Sequence, residues 1–255
     1  MPEDVSQDSG ELPRLLEAQY ASYVEDVPLW LNLAGRQKGP VLELGCGAGR
    51  VMAALVREGH EVVGLDRDSS MLVRARRRLL SEKSARIGLV QGDLRSFEMG
   101  RAFALVIVPC NTFAGLTDSE AAASLACVHR HLLPSGLLAI DLPNPATAYC
   151  SLEVDDEPLV EFLEPETGHP IQVFAVQSLF PDEERIRVIW SYHELLPDGT
   201  RRPLEIRTDY YLRSKDKTAA LLAQSGYDSV DFYGDYEFRP LDRSLERMIV
   251  LATKR

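Results

Sequence analysis

A regular alternation of short apolar segments with helical patterns is the sequence feature that most limits the fold of this chain. The apolar segments predict five strands, at Val41–Gly45, Glu61–Asp66, Arg86–Asp93, Phe103–Val108 and Leu137–Asp141. Helical spacing predicts helices at Arg50–Glu58, Ser69–Lys83 and Asp118–Leu133. Strands that alternate with helices across short connections form a parallel sheet covered on both faces, so we predict an α/β fold.

The segments on either side of this alternation follow other patterns. A helical segment is predicted over Leu12–Ala34, interrupted near Pro28. Beyond Pro143, polar and apolar residues alternate at Leu159–Leu163, Ile171–Phe180, Arg185–Leu196 and Glu205–Leu212, which predicts an antiparallel insertion. A helix at Ser214–Gln224 and two antiparallel strands, Ser229–Gly234 and Arg247–Thr253, return to the core. We therefore divide the chain into an N-terminal helical segment (1–38), a core (39–145 and 214–255) and a β insertion (146–213).

Composition narrows the classes of partner. The 255 residues include 28 Lys and Arg against 39 Asp and Glu, a formal charge of −11. Such a chain repels nucleic-acid phosphates and anionic membrane surfaces. No apolar run approaches the roughly 18 residues that cross a bilayer, and the acidic N-terminus is unlike a secretory signal. The four cysteines are scattered without a CxxC pair, which predicts a reduced, cytoplasmic protein without a disulfide framework or a metal site.

The connection between the first strand and the first helix of the alternation carries the strongest chemical signal. Its sequence, Glu43-Leu-Gly-Cys-Gly-Ala-Gly-Arg50, places three glycines in five positions at a helix N-terminus, where a ligand can approach the backbone. Asp66 ends the second strand and can accept both hydroxyls of an adenosine ribose. Gly92-Asp93 ends the third strand, where a carboxylate can meet the adenine amine. The carboxyl ends of parallel strands share one edge of a sheet, so these residues predict one nucleoside pocket.

The glycine spacing and a nearby acidic residue narrow the class of cofactor. A dinucleotide loop follows the pattern GxGxxG, whereas Arg50 stands where its last glycine would lie. Glu43 lies two positions before the first glycine, where a carboxylate would repel a pyrophosphate but suits the ammonium of a methionine moiety. We therefore predict an adenosine that bears an amino acid, with an NAD(P)-dependent oxidoreductase as the alternative.

The segments VLELGCGAGR, VVGLDRDSSML, QGDLRSF, ALVIVPCNTFAGL and LLPSGLLAIDLPNP resemble the motifs of class I S-adenosylmethionine-dependent methyltransferases, over residues 20–145 and 214–255. The resemblance implies a Rossmann-like, seven-stranded, mostly parallel sheet with a reversed C-terminal hairpin, plus an inserted antiparallel β lid. It implies S-adenosyl-L-methionine as cofactor and S-adenosyl-L-homocysteine as product. Base N-methyltransferases of nucleic acids carry an Asn/Asp-Pro-Pro-aromatic tetrad after the fourth strand, whereas this chain has Pro-Cys-Asn-Thr-Phe, so that chemistry is not indicated.

The resemblance also assigns parts of the cofactor to residues of this chain. It implies the methionine part on Glu43, Gly45, Cys46 and Gly47, the ribose on Asp66, adenine between Arg67 and Leu94 with Asp93 near its amine, and the sulfonium above Pro109, Cys110 and Asn111. The remaining cofactor-binding candidates are Gly49, Arg50, Met71 and Gly92. Tyr20 and Tyr23 stand in the place of a YDxxY-like gating element, without its acidic residue.

The acceptor of the methyl group is predicted only as a class. Displacement at a sulfonium needs alignment of the reacting atoms and exclusion of water, and the insertion would act as the lid. The insertion resembles the substrate lid of small-molecule members, including glycine and sugar-amine N-methyltransferases, so the predicted acceptor is a nitrogen or oxygen of a small molecule. The catalytic candidates are His193, as a base, and Asn111, and the substrate-binding candidates are Tyr149, Tyr192, Glu205, Arg207 and Tyr233.

Two further alternatives use the same pocket. A non-catalytic protein that binds the cofactor or its product differs from an enzyme only in turnover. An aminopropyl transferase would need additional acids near the end of the fourth strand, and Pro-Cys-Asn-Thr-Phe supplies none. The predicted partner is a small molecule rather than nucleic acid or membrane, and the chain is expected to be a monomer or a homodimer.

Overall fold

The computed structural model describes residues 10–80, 82, 86–148 and 157–254. The helices are α1 (Glu11–Tyr20), α2 (Val27–Gln37), α3 (Arg50–Arg57), α4 (Ser69–Leu79), α5 (Asp118–His131), α6 (Pro145–Ala148) and α7 (Lys215–Gln224). The strands are β1 (Val41–Leu44), β2 (Val62–Asp66), β3 (Ile87–Gln91), β4 (Phe103–Val108), β5 (Leu132–Pro143), β6 (Val160–Leu163), β7 (Pro170–Phe180), β8 (Arg185–Leu195), β9 (Arg201–Tyr211), β10 (Tyr227–Tyr233) and β11 (Arg247–Lys254). Within these ranges no helix is long and apolar enough to cross a membrane.

Seven strands form one sheet in the order β10-β11-β5-β4-β1-β2-β3. Strands β1 to β5 are parallel, whereas β11 runs antiparallel to both β5 and β10. The predicted α/β fold with a reversed C-terminal hairpin is therefore confirmed. The chain winds outward from β1 in one direction and from β4 in the other, so the carboxyl ends of these two strands flank a crevice, which is where ligands bind in such sheets.

Most predicted elements agree with the structure within a few residues, and the differences have local causes. The segment predicted over Leu12–Ala34 is two helices, and Pro28 lies in the first turn of the second, where the missing N–H of proline is harmless. Helix α5 ends at His131 rather than Leu133, because the residue before Pro134 is biased toward extended backbone. Helix α4 ends at Leu79, and the predicted end at Lys83 lies outside the described residues.

Buried side chains on the two faces of the large sheet form two cores. Leu42 and Val106 point into a core with the apolar face of α5, whereas Val41 and Leu105 point into a core with α2 and α3. Strands β1 and β4 are buried along their whole length, which explains why they read as unbroken apolar runs. This burial fixes the strand ends that carry the candidate site.

The insertion forms a separate antiparallel sheet in the order β6-β7-β8-β9, called the small sheet below. One face of it packs against α1 through Leu15, Ile171, Val173 and Tyr192. Arg14 of α1 lies nearly buried and forms ion pairs with Glu164 and Glu194 of the insertion, at 2.6 and 2.9 Å. Helix α1 and the small sheet are therefore joined by both apolar contacts and charge.

Candidate active site

A cavity of about 410 Å³ opens at the carboxyl ends of the parallel strands. This volume lies within the range of roughly 300–1,000 Å³ that is usual for ligand pockets. Its walls include the glycine loop, the ends of β2 and β3 and the segment after β4, while α1 contributes Leu16, Glu17 and Tyr20. Glu17 also forms ion pairs with Arg74 and Arg78 of α4, at 2.7 and 3.0 Å, so α1 is tied to the core beside the cavity.

The glycine loop between β1 and α3 approaches its neighbours too closely for side chains. Gly45, Gly47 and Gly49 have φ angles of +69°, +52° and +75°, a region that strongly favours glycine. A Cβ atom on Gly45 would lie 2.5 Å from Cγ2 of Thr112, in the segment after β4. The loop thus exposes its backbone to the cavity and packs directly on the segment beneath it.

Glu43 is the least solvated acid of the cavity. It is 3% exposed, and its Oε2 atom has no hydrogen-bond partner among the described residues. Burial raises the pKa of its carboxyl group to about 8, although the charge of Arg50 opposes that change. A buried carboxylate oxygen without a partner is costly, and a ligand ammonium would remove that cost.

Asp66 and Asp93 occupy the two strand ends predicted for the nucleoside. Asp66 Oδ2 accepts the Gly47 N–H at 2.8 Å, which fixes its side chain beside the glycine loop, and each carboxylate oxygen can accept a further bond. Asp93 accepts from Arg95 through the backbone N–H at 2.8 Å and the side-chain Nε at 2.9 Å. Hydrogen bonding from Arg95 lowers the pKa of Asp93.

The segment after β4 closes the opposite end of the cavity with Pro109, Cys110 and Thr112. Arg50 Nη2 donates to Cys110 Sγ at 3.1 Å, while its two terminal nitrogens donate to the buried carboxylate of Asp26 at 2.5 and 2.7 Å. These contacts fix the guanidinium of Arg50. Burial raises the pKa of the Cys110 thiol to about 12, so the thiol is protonated near neutral pH.

Most of the cofactor-binding candidates meet at this one cavity. Those that line it are Tyr20, Glu43, Gly45, Cys46, Gly47, Arg50, Asp66, Arg67, Met71, Gly92, Asp93, Leu94, Pro109 and Cys110. Gly49, Tyr23 and Asn111 are absent from the lining. The Tyr23 hydroxyl lies 2.6 Å from that of Tyr236, and Asn111 Oδ1 accepts from Arg247 Nη2 at 2.7 Å.

The structure does not bring the substrate candidates to the cavity. Tyr192 is buried against α1, and its hydroxyl donates to Gln19. Successive residues of a strand point to opposite faces, so His193 lies on the other face, where its ring packs 5.0 Å from that of Phe174. Two more candidates, Glu205 and Arg207, are exposed on that same outer face, opposite Ser191 and Ile189.

Of the two remaining substrate candidates, only Tyr233 is among the described residues, and it does not line the cavity. Tyr233 packs edge-on against Phe238 at 5.2 Å, beside the core of α2 and α3. Tyr149 lies outside the described residues.

Sequence reasoning missed several residues that shape the end of the cavity. Thr112 lines it, and Asp26, Asp141 and Arg247 hold the residues around it. Asp141 shares the pattern of Asp66 and Asp93, an acid near the carboxyl end of a buried strand, so the sequence does carry a signal for it. The partner of Asp141 on β11 had no local signal, because it lies 106 residues further along the chain.

Comparison with known proteins identifies the core. Residues 41–136 match the protein family described as "Methyltransferase domain". This part of the chain is a methyltransferase domain. The methyltransferase domain begins with β1 and ends within β5, so it contains the glycine loop and all the strand ends that line the cavity.

One curated relative and two solved structures extend the comparison. The chain is 28% identical to a dTDP-3-amino-3,4,6-trideoxy-alpha-D-glucopyranose N,N-dimethyltransferase from Streptomyces venezuelae, over 48% of this chain and 50% of that protein. The chain thus spans about half the length of the first curated relatives that it matches. The structure of a sugar N-methyltransferase from Streptoalloteichus sp. aligns with 100% of this chain and with 98% of the sugar N-methyltransferase, at a TM-score of 0.77 and 18% sequence identity.

The second solved structure is an amino pentose methyltransferase from Micromonospora echinaspora with SAM bound. It covers 100% of both chains with a TM-score of 0.69 and 20% identity. At these identities the two structures show the fold alone: the large sheet with its helices and the small sheet together have the architecture of these two proteins.

Proposed function

We propose that the chain is an S-adenosylmethionine-dependent methyltransferase that acts on a small molecule. The observation that carries this proposal is the pairing of two acids in one cavity. Glu43 offers a buried oxygen that no described residue partners, and Asp66 offers a carboxylate held in place by the Gly47 N–H. An adenosine that bears an amino acid has an ammonium for the first acid and ribose hydroxyls for the second.

The residues of the cavity fit this cofactor along its length. Glu43 would hold the ammonium, Asp66 the ribose, and Arg67 and Leu94 the adenine, while Pro109 and Cys110 would border the sulfonium end. When bound, the cofactor supplies a methyl group on a sulfur that is already a good leaving group. The chain must therefore orient the acceptor and exclude water, which is catalysis by positioning.

The groups at the sulfonium end favour a neutral amine as acceptor. The Cys110 thiol is protonated near neutral pH, and burial raises the pKa of the Tyr20 phenol as well. Neither group is a base that could take a proton from a hydroxyl acceptor at that pH. An amine needs only to arrive uncharged, so we place an amine ahead of a hydroxyl.

The names of the relatives support the same class of acceptor. The curated relative is named as an N,N-dimethyltransferase of an amino sugar nucleotide, and one structural neighbour as a sugar N-methyltransferase. We therefore propose the amino group of an amino sugar as the first acceptor to test.

The proposal is tested in two steps with the full chain. Calorimetric titration with S-adenosylhomocysteine should show binding that is weakened in Asp66→Ala. A methyl-transfer screen against amino sugars and other small amines, read by mass spectrometry, should then show a methylated product. If calorimetry shows binding of a nicotinamide dinucleotide and none of S-adenosylhomocysteine, the result would favour the oxidoreductase. Binding of S-adenosylhomocysteine without any methylated product would favour a non-catalytic binding protein.

A further inference from the structure

The carboxylate of Asp141 joins three separate elements beneath the sulfonium end of the cavity. It lies at the carboxyl end of β5 and is 0% exposed. Its Oδ2 atom accepts the backbone N–H of Cys110 at 3.2 Å and the hydroxyl of Tyr236 at 3.1 Å. Its Oδ1 atom accepts from Nε of Arg247, on β11, at 2.9 Å. One buried carboxylate therefore connects the segment after β4, the connection between β10 and β11, and β11 itself.

The segment that Asp141 contacts has an unfavourable backbone. Cys110 and Asn111 have φ angles of +54° and +60°, so two consecutive residues with side chains adopt the left-handed region. This conformation is unfavourable for residues that carry a side chain, and it persists only where neighbouring contacts enforce it. Asp141 binds the first of these residues, and Arg247 donates to Oδ1 of the second at 2.7 Å. The ion pair between Asp141 and Arg247 therefore holds both strained residues.

The strained segment in turn positions the cavity wall. Thr112 follows it directly, donates its hydroxyl to the Pro109 carbonyl at 2.8 Å, and lies against Gly45 of the glycine loop. Pro109, Cys110 and Thr112 line the cavity, whereas Asp141 does not. A relaxed turn would therefore move the surface on which the reacting atoms meet.

We propose that Asp141, together with Arg247, is a positioning residue for methyl transfer, because it holds the Pro109–Thr112 turn in the conformation that aligns the acceptor with the methyl donor. This inference rests on the proposed function and deepens it. Asp141 acts through the turn and touches neither cofactor nor acceptor.

Asp141→Asn is the main test. The amide nearly matches the carboxylate in size but cannot accept from all three partners or balance the charge of Arg247. We expect a crystal structure of the variant with S-adenosylhomocysteine to show Cys110 or Asn111 outside the left-handed region. The dissociation constant of S-adenosylhomocysteine should stay within about threefold of wild type, while kcat for the acceptor found in the screen should fall about 10²-fold, the loss typical of a misplacement of about 1 Å.

Two further variants separate positioning from general stability. Arg185→Gln removes a nearly buried arginine whose ion pairs with Glu183 and Asp209, both at 2.8 Å, lie in the insertion. It should lower the melting temperature without changing kcat. Arg247→Lys keeps a charge for Asp141 but has no second nitrogen with which to bond Asn111 as well, so it should reduce kcat even if Asp141→Asn does not fold.

Rescue gives a readout that a merely structural role would not produce. Glycine adopts the left-handed region without strain, so Asn111→Gly should restore part of the kcat lost in Asp141→Asn. An Asp141→Asn structure with the turn unchanged, or a variant as active as wild type, overturns the inference alone. Failure of the wild-type chain to bind S-adenosylhomocysteine overturns the proposed function and the inference together.

Discussion

Replacing Glu43 with glutamine tests the electrostatic character of the cavity. The carboxyl group has a pKa of about 8 in the folded chain because of its burial, against an ordinary value of 4.5. A carboxyl group whose pKa is raised by folding stabilises the fold below the ordinary value, and this stabilisation is lost as pH rises toward the folded value. Between the two values, the unfolded chain has lost the proton that the folded chain keeps.

The size of the effect follows from these two values. Each pH unit between 4.5 and 8 costs wild type about 1.4 kcal/mol of folding free energy. At pH 7 the difference of 7 − 4.5 = 2.5 pH units corresponds to about 3 kcal/mol. Glutamine is neutral throughout, so Glu43→Gln should be more stable than wild type by about that amount at pH 7 and by little near pH 4.5.

Urea denaturation of the cofactor-free chain at several pH values between 5.5 and 7.5 measures this difference. The exposed Glu58, changed to Gln, serves as the control for the loss of one carboxylate at a surface position. Saturation with S-adenosylhomocysteine should favour wild type, because only the carboxylate can pair with the ligand ammonium. A stability difference for Glu43→Gln that does not vary with pH would refute the reasoning.

Three further changes probe other parts of the site. Asp66→Ala should weaken S-adenosylhomocysteine binding at least about tenfold in calorimetry, since hydrogen bonds to a charged group contribute roughly 1.5–3 kcal/mol, and binding within threefold of wild type would contradict the ribose assignment. Gly45→Ala should lower the free energy of unfolding by more than Gly59→Ala, because a Cβ atom on residue 45 would lie 2.5 Å from Thr112. A Cβ atom on residue 59, at φ +86°, would point into open space, so Gly59→Ala reports only the backbone cost of roughly 1–2 kcal/mol. Equal losses in the two variants would exclude the close contact. Glu17→Gln removes the ion pairs with Arg74 and Arg78, so stopped-flow measurements should show faster S-adenosylhomocysteine release and a weaker salt dependence of that rate than in wild type. Identical rates would mean that these ion pairs do not restrain α1.

The sequence by itself determined the order of the elements and the edge at which the site lies. Strands β1 and β4 could be identified because burial on both faces requires an unbroken apolar run. Glu43 and Asp66 could be assigned to one pocket from their positions in the sequence, because every parallel strand of such a sheet ends at the same edge. These are properties of neighbouring residues and of the general geometry of parallel sheets.

Tertiary structure alone decided which residues surround the reacting atoms. Successive side chains of β8 point to opposite faces of the small sheet, so Tyr192 and His193 lie on different faces. Which of these two faces is buried depends on how α1 packs against the small sheet. Likewise, Asp141 meets Arg247 only because β11 pairs antiparallel with β5. Contacts between residues far apart in the chain depend on packing and strand register, and these are settled by the free energy of the whole fold rather than by any local pattern.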